Sequence, residues 1–470
     1  MVCGVALGAL SPPSALGWLA PLPLGLLFRA VAHASPRQAF WMTWIVTTAM
    51  FGVMLIWLPQ SLGETLGWGL SLLFPVLVGL LGLTCAATVA LTRWAAGSWT
   101  LGALPLAWVL LDAVREMGPL AFPWGGLGYF LSETSLVQVA EWGGVELLGL
   151  LVGGAASALA AWSWRGVWVA LLWAGALTYG VTRPPEVPGT RPALLVQGAV
   201  DPRAKVQADA VREWQRYWSL TKEAQVGAQT LVVWPEAAVS WPPPAGLQMP
   251  VKGAVLLGAS AGGTTPRNSV FLMQGNAVAG RQDKVHLVPF GEFFPGQASW
   301  PGAYRTVFRW LGLPDLLGRV PGHAARPLQL GDLRAGVLIC YESVFASQAR
   351  ELVAQGANVL VTPSNDAWFG SSRGAEQHFR MGRVRAVETR RWWLRVGNDG
   401  ITAVVDPQGQ VRRRLVRFTP GTLPVMFDVR EDRTLSVQWP GWVVWGAALG
   451  WVLICLHMRT VAHICRQSRC

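Results

Sequence analysis

Cysteine is scarce in this chain, six residues in 470, and between Arg183 and Gln438 the only one is Cys340. A solitary thiol cannot form a disulfide within its own segment, so a disulfide framework is excluded there and reactivity becomes the question. Charge is scarce too, 14% of residues against 52% hydrophobic, which excludes an ordinary soluble protein. The spacings that hold metals, H-x-x-x-H or paired cysteines, are missing, so no metal is expected and no cofactor is implied. No groove-reading motif accompanies the net charge of +12, which therefore does not call for nucleic acid. Basic loops of a membrane protein, and basic residues facing anionic headgroups, explain it more simply.

What charge there is lies mostly in 183–436, with a handful of ionisable residues in 1–182 and almost none in 437–458. Apolar stretches near 14–32, 39–58, 66–92, 99–114, 145–163, 166–182 and 438–458 approach or exceed the roughly 20 helical residues that cross a hydrocarbon core. Residues 1–11 read as most of another span, short at the front; a start further upstream would make it whole. A cleaved signal peptide is the other reading of the N-terminus, disfavoured because there is no basic n-region and more spans follow at once. The expected organisation is a bundle over 1–183 with seven spans counting the short first one, a polar domain over 184–436, and a final helix and tail over 437–470. Arg29 and Arg37 share one short loop, Arg93 and Arg165 mark two more, and Arg459, Arg466 and Arg469 lie in the tail. Counting spans puts them all on one face, the cytoplasmic one; loop 59–65 has no basic residue and 112–144 only Arg115. The polar domain hangs from that second face, outside the cytoplasm.

Past Arg183-Pro184-Pro185 the pattern changes to short β-like runs alternating with amphipathic helices. Strands are expected at 193–197, 230–234, 254–257, 269–273, 334–340, 358–361, 393–397, 401–405 and 425–429, and helices at 203–226, 345–355 and 373–391. Continuous apolar strands mean sheets covered on both faces, hence a layered α/β domain. Segment 293–325 interleaves Phe293, Phe294, Trp300, Tyr304, Phe308, Trp310, Leu311, Leu313, Leu316 and Leu317 with Arg305, Arg309 and Arg319. Two readings of it stand level, a lid dipping into the membrane interface and a helical hairpin packed on its own domain. Arg373, Arg380, Arg383, Arg385, Arg390 and Arg391 along 373–391 read first as a solvated face.

Cys340 closes the apolar run Ala335-Gly336-Val337-Leu338-Ile339, Glu236 follows Val232-Val233-Trp234-Pro235, and Lys284 lies in Asp283-Lys284-Val285-His286. Singly these are a small hydrophobe, a turn residue and a solvated lysine; together they are the parts of a thiol acyl-transfer site. Glu236 is the base that takes the thiol proton and the acid that returns it to the leaving group. Lys284, with the backbone N–H after Cys340, faces the oxyanion. Ser260, in Gly258-Ala259-Ser260-Ala261-Gly262, matches the hydrolase nucleophile elbow but lacks the helix that must follow, so it reads as a turn residue. His286, His323 and His378 are the bases a Cys-His protease would need, without an orienting partner legible in sequence. A transporter or receptor would leave the three frames unexplained.

Trp234-Pro235-Glu236, Lys284 with Leu287-Val288-Pro289-Phe290-Gly291-Glu292, Ile339-Cys340-Tyr341-Glu342 and Ser364-Asn365-Asp366-Ala367-Trp368-Phe369-Gly370 resemble the nitrilase-type domain of bacterial apolipoprotein N-acyltransferases. Gln377-His378 and Asn398-Asp399-Gly400 fit the same pattern, as do Phe122-Pro123-Trp124, Gly128-Tyr129 and Gly144-Val145-Glu146 in the apolar part. The resemblance implies a multi-span α-helical membrane bundle plus a nitrilase-like αββα sandwich with a Glu236, Lys284 and Cys340 triad. It implies that Glu292 positions or polarises the site and that Tyr341 and Glu342 shape the loop beside the thiol. The implied reaction moves an acyl chain from a phospholipid through a thioester to the α-amino group of a diacylglyceryl-apolipoprotein. A monomer in the inner membrane, with its catalytic domain on the periplasmic side, is expected. The chain departs from the family pattern at Ala199, at Val206 after Lys205, where the family often has Trp, and at Asp399 in place of a second Asn.

Overall fold

The computed structural model describes residues 1–66, 68–164, 166–200, 210–262, 266–310 and 318–467. It divides into two compact units, one of residues 1–60, 68–183 and 439–470, the other of 61–67 and 184–438.

The first unit is helical. Its longer helices are α1 (Val2–Leu10), α2 (Pro21–Ala32), α3 (Pro36–Met54), α4 (Leu58–Leu66, which passes to the other unit from Ser61 on), α5 (Phe74–Ala96), α6 (Thr100–Arg115), α7 (Ala140–Ala161) and α8 (Gly166–Val181). Helix α3 starts at a capping box: Ser35 Oγ accepts from the Gln38 N–H at 3.3 Å, the Ser35 N–H donates to Gln38 Oε1 at 2.9 Å, and Pro36 presets the first turn. Helix α7 is kinked at Gly143 and Gly144, the latter at φ +71°, so its regular part begins where the apolar run of the sequence does, at Val145. Three helical stretches, Phe74–Arg115, Ser135–Ala161 and Trp442–Val461, are long and apolar enough to cross a membrane, and Gly17–Ala32 and Gly166–Val181 are apolar but shorter. The expected span at 14–32 is thus a twelve-residue α-helix preceded by a 3-10 turn at Gly17–Leu19, because Pro21 and Pro23 cannot lie deep inside a helix. Exposed Leu80, Leu91, Trp94, Leu171 and Leu172 fit hydrocarbon as the solvent of this unit.

The second unit is a four-layer sandwich. Its elements run β1 (Arg191–Gln197), α9 (Ala210–Glu223), β2 (Leu231–Val233), β3 (Ala254–Ala261), β4 (Arg267–Gln274), β5 (Ala277–Asp283), α10 (Pro301–Trp310), β6 (Leu328–Leu330), β7 (Leu333–Val337), α11 (Ala346–Ala354), β8 (Val359–Ser364), α12 (Gly374–Thr389), β9 (Trp393–Gly397), β10 (Ala403–Val405), β11 (Val411–Arg414) and β12 (Gly421–Phe427). Helix α13 (Trp442–Gln467) returns the chain to the first unit. One sheet has the order β12-β1-β2-β3-β4-β5 and the other β11-β10-β9-β8-β7-β6. Each is parallel at its centre, β1 with β2 and β3, and β7 with β8 and β9, and antiparallel outside.

The inner faces meet in one apolar core that includes Leu195, Val233, Leu256 and Val270 from one sheet and Val337, Val361, Leu394 and Val404 from the other. Outside, Tyr217 of α9 packs with Val232 and Leu257, and Leu352 of α11 and Phe379 of α12 with Leu360 and Trp393. Both faces of both sheets are therefore covered, which is why the central strands read as unbroken apolar runs. The carboxyl ends of β2, β7, β8 and β9 hand over to the segments carrying Glu236, Cys340, Asp366 and Asn398, where open α/β sheets place their ligands.

Candidate active site

Strand β7 ends at Val337, the Leu338 N–H still reaches the Val361 carbonyl at 2.9 Å, and the chain then turns sharply at Cys340, which holds φ +53°. That left-handed backbone is unfavourable for a residue with a Cβ and persists only where its surroundings enforce it. The enforcement is visible. Buried Glu342 accepts the N–H groups of Ile339 at 2.7 Å, Val285 at 2.6 Å and His286 at 3.1 Å, tying the turn to the segment after Lys284. Ser343 Oγ donates to the Cys340 carbonyl at 2.9 Å, and buried Tyr341 stands edge-on to Phe345 at 5.2 Å.

Lys284 follows β5 and is 1% exposed. Its Nζ lies 2.9 Å from Glu236 Oε1 and 2.8 Å from Glu292 Oε2. Asn268 bridges the same two carboxylates: its Nδ2 donates to Glu236 Oε1 at 2.5 Å and to Glu292 Oε1 at 3.1 Å. The other oxygen of Glu236 accepts the Asn365 N–H at 2.9 Å, and Glu292 Oε2 also accepts the Val288 N–H at 2.9 Å. Burial alone would push the Lys284 ammonium down, but Glu236 and Glu292 outweigh it and hold it above the ordinary lysine range. Burial likewise opposes ionisation of Glu292, and Lys284 with the Val288 and Asn268 N–H donors reverses that and holds it below the usual carboxylate range.

The Cys340 thiol, 8% exposed, is pushed up by burial and by the charges of Glu236 and Asp366, while Lys284 pulls it down less strongly. A resting thiol in this setting keeps its proton. Thiolate forms only as a base takes that proton, and the charges coupled most strongly to the sulfur are Glu236 and then Lys284, ahead of Asp366.

The Glu236 turn depends on a glycine. A Cβ on Gly258 of β3 would lie 2.0 Å from the Pro235 carbonyl oxygen and 2.9 Å from Glu236 Cα. The first glycine of the hydrolase-like motif thus serves close backbone approach. Ser260 is within β3, paired with Asn268 of β4, which corrects its reading as a turn residue and leaves no elbow there. Its Oγ accepts from Arg319 Nη1 at 3.3 Å.

Of the three histidines, His323 is exposed and His286 stacks on Phe345 at 4.2 Å with Nδ1 2.8 Å from Gln348 Oε1. His378 is buried beside the Cys340 turn, but its Nε2 addresses the Cys340 carbonyl at 3.0 Å. The Cys340 sulfur, a His378 ring nitrogen and an Asp366 oxygen lie within 4.8 Å of one another. Arg395 Nη2 occupies both Asp366 oxygens, at 2.9 and 2.8 Å, and His378 Nδ1 at 3.0 Å, so this donor set is spent on a guanidinium.

In segment 293–325, Phe294 packs against Phe308 at 4.9 Å and Tyr304 at 5.8 Å, while Trp300 and Trp310 point outward, Trp310 being 84% exposed. Helix α10 thus packs inward through Phe308 and leaves the indole of Trp310 exposed. The solvated-face reading of 373–391 holds at exposed Arg373 and is corrected at Arg385, Arg390 and Arg391, which are buried: Arg390 Nη1 donates to the Pro407 carbonyl at 2.9 Å and Arg391 Nε to the Ala357 carbonyl at 3.0 Å. Lys205, Val206, Arg165, Arg469, Gly263 to Thr265 and Leu311, Leu313, Leu316 and Leu317 lie outside the described residues. The sequence reading missed Asn268 and the Asn365 N–H as partners of Glu236; Asn268 carries no signal beyond its place in a strand.

Residues 3–159 match the family model described as the apolipoprotein N-acyltransferase N-terminal domain, and residues 254–433 match that of the carbon-nitrogen hydrolases. An apolipoprotein N-acyltransferase of Methylococcus capsulatus is 31% identical over 97% of this chain and 95% of its own. One from Azotobacter vinelandii is 32% identical over 96% and 94%. A solved Saccharomyces cerevisiae member of the nitrilase superfamily aligns with 52% of this chain and 93% of its own at 16% identity, with a TM-score of 0.39.

Proposed function

The chain belongs to the apolipoprotein N-acyltransferase family, and from that premise we propose that Cys340 carries the acyl group, Glu236 moves the proton and Lys284 stabilises the charge. The observation that carries this reading is the Lys284 ammonium, shared at 2.9 and 2.8 Å between Glu236 and Glu292 and coupled electrostatically to the buried Cys340 thiol. In the first half-reaction Glu236 takes the thiol proton as sulfur attacks the ester carbonyl of a phospholipid. Oxyanion charge is met by Lys284 and the N–H after Cys340. The ester C–O bond then breaks, Glu236 returns the proton to the departing lysophospholipid oxygen, and a thioester remains. In the second half-reaction the α-amino group of a diacylglyceryl-cysteine attacks the thioester, Glu236 takes a proton from nitrogen, and as the C–S bond breaks it passes that proton to sulfur, restoring the thiol and the carboxylate. Glu292 and Asn268 hold Lys284 and Glu236 in place, and Tyr341 and Glu342 hold the nucleophile turn.

Donor and acceptor are both lipidic, which accounts for the apolar helices that a soluble hydrolase would not need. The loop arginines support a catalytic unit on the extracytoplasmic side of the inner membrane. All the groups named belong to one chain, which supports a monomer as the working unit.

Intact-mass spectrometry of the purified full-length protein given phospholipid is the test. One acyl mass is expected on the parent and none on Cys340→Ala; acylation persisting in the alanine variant refutes the nucleophile assignment. A diacylated lipopeptide should then discharge the adduct and gain its acyl chain. Release of free fatty acid alone assigns a hydrolase instead.

A further inference from the structure

We propose that His378, locked by Asp366 and Arg395, is a positioning residue that holds the left-handed turn at Cys340 through the Cys340 carbonyl. This rests on Cys340 being the nucleophile and asks what keeps its turn in shape. The backbone there sits at φ +53°, a conformation that relaxes unless its peptide groups are held. Two side chains meet the Cys340 carbonyl oxygen, Ser343 Oγ at 2.9 Å and His378 Nε2 at 3.0 Å, and they lie 3.1 Å from each other. Ser343 belongs to the turn itself and would move with it. His378 comes from α12 and is an external anchor.

Its tautomer follows from its partners. Burial and the neighbouring Arg395 guanidinium hold the His378 ring below the ordinary imidazole range, so it is neutral and carries one ring proton. A carbonyl only accepts, which puts that proton on Nε2. Nδ1 must then accept, and Arg395 Nη2 at 3.0 Å is its donor. Asp366 Oδ1 stands 3.1 Å from the same Nδ1, and Arg395 Nη2 reaches both atoms, at 2.9 and 3.0 Å. Ser364 Oγ donates to Asp366 Oδ1 at 2.8 Å and completes the clamp. Asp366, Arg395 and His378 are each at most 1% exposed, and none is given a part in the proton transfers above. Their shared output is one N–H aimed at the Cys340 carbonyl, and that turn sets both the sulfur direction and the N–H that meets the oxyanion.

The test follows acyl-enzyme formation by intact mass in the full-length protein with phospholipid, comparing His378→Ala, His378→Gln and Cys340→Ala. We expect His378→Ala to slow acylation about 10–100-fold, the range of a misplaced reacting group. The phospholipid concentration for half-maximal rate should change less than about two-fold, because donor binding is untouched. Glutamine, whose Nε2–H can reach the same carbonyl, should recover most of the rate. His378→Ala acylating at the parental rate overturns the proposal. So does a variant in which fewer molecules react but those that do react at the parental rate, the mark of a merely structural role, and so does glutamine performing no better than alanine. If Cys340→Ala still forms the adduct, the nucleophile reading has failed and this one falls with it; Cys340→Ala inert beside a fully active His378→Ala sinks this one alone.

Discussion

Lys284 shows how far a single side chain decides the chemistry of its neighbours. Held by two carboxylates, it contributes stability that is fully present below the unfolded lysine pKa of about 10.4 and is lost only as pH rises through its higher folded value. Depressed Glu292 contributes stability present above its unfolded value of about 4.3 and lost as pH falls through the lower folded one. Between about pH 5 and 9 the cluster therefore adds a constant term. Lys284→Met leaves Glu236 and Glu292 facing each other without a cation, and removing one partner of a buried ion pair costs about 3–5 kcal/mol. One carboxylate must then titrate above its unfolded value, which reverses the sign: stability should fall as pH rises from about 5 to 8. Melting temperatures of parent and variant at the two pH values check this: the variant's deficit relative to the parent should be smaller at pH 5 than at pH 8, and a deficit equal at both would mean the carboxylates do not interact. Glu236, Lys284 and Cys340 were legible because each sits in an apolar frame where a polar group needs a reason. Asn268 and Arg395 were not, since their meaning lies in contacts made across the sandwich by residues far apart in sequence.

Among the elements, the central strands were legible and the edges were not. β2, β7, β8 and β9 are buried on both faces and read as apolar runs, whereas β5 and β11 are exposed edges without such a run, and β6 is a three-residue arm of a tight hairpin turning at Gly331 and Asp332. The arginines of α12 misled for a related reason: a guanidinium can cap carbonyls inside a protein, and a run of them in sequence does not distinguish that use from a wet surface. At β3 the sequence offered a nucleophile motif, and the element explains it as clearance. Gly258→Ala places a Cβ 2.0 Å from the Pro235 carbonyl oxygen in a strand paired on both sides. The backbone carrying Glu236 must move, so acylation should slow at least about 10-fold, with a stability loss of about 1–3 kcal/mol from overpacking. Acylation kinetics and thermal melts measure the two. Parental acylation in a destabilised variant would show that the strain is absorbed away from Glu236.

At the scale of the whole molecule, the alternation of apolar and polar blocks pointed to a helical unit and a layered α/β unit, and the family resemblance to a sandwich, but neither told where the helices begin. Prolines at 21, 36 and 75 start helices inside or beside runs that hydropathy alone treats as continuous, and Gly143 and Gly144 break another. What remains a matter of charge is orientation. If Arg29 and Arg37 mark a cytoplasmic loop, then His33 between them is cytoplasmic, while Glu431 of the sandwich is on the other side of the membrane. Both are exposed, so a thiol placed at either reacts readily with a maleimide that reaches it. In a background with Cys465, Cys470 and the half-buried Cys3 changed to serine, Glu431→Cys should label with a membrane-impermeant maleimide in intact spheroplasts. His33→Cys should label only after lysis. The buried native thiols Cys85, Cys340 and Cys455 supply a low, shared background. The reverse pattern would put the arginine-rich loops outside and the Cys340 turn in the cytoplasm, and would overturn the extracytoplasmic reading of the catalytic unit.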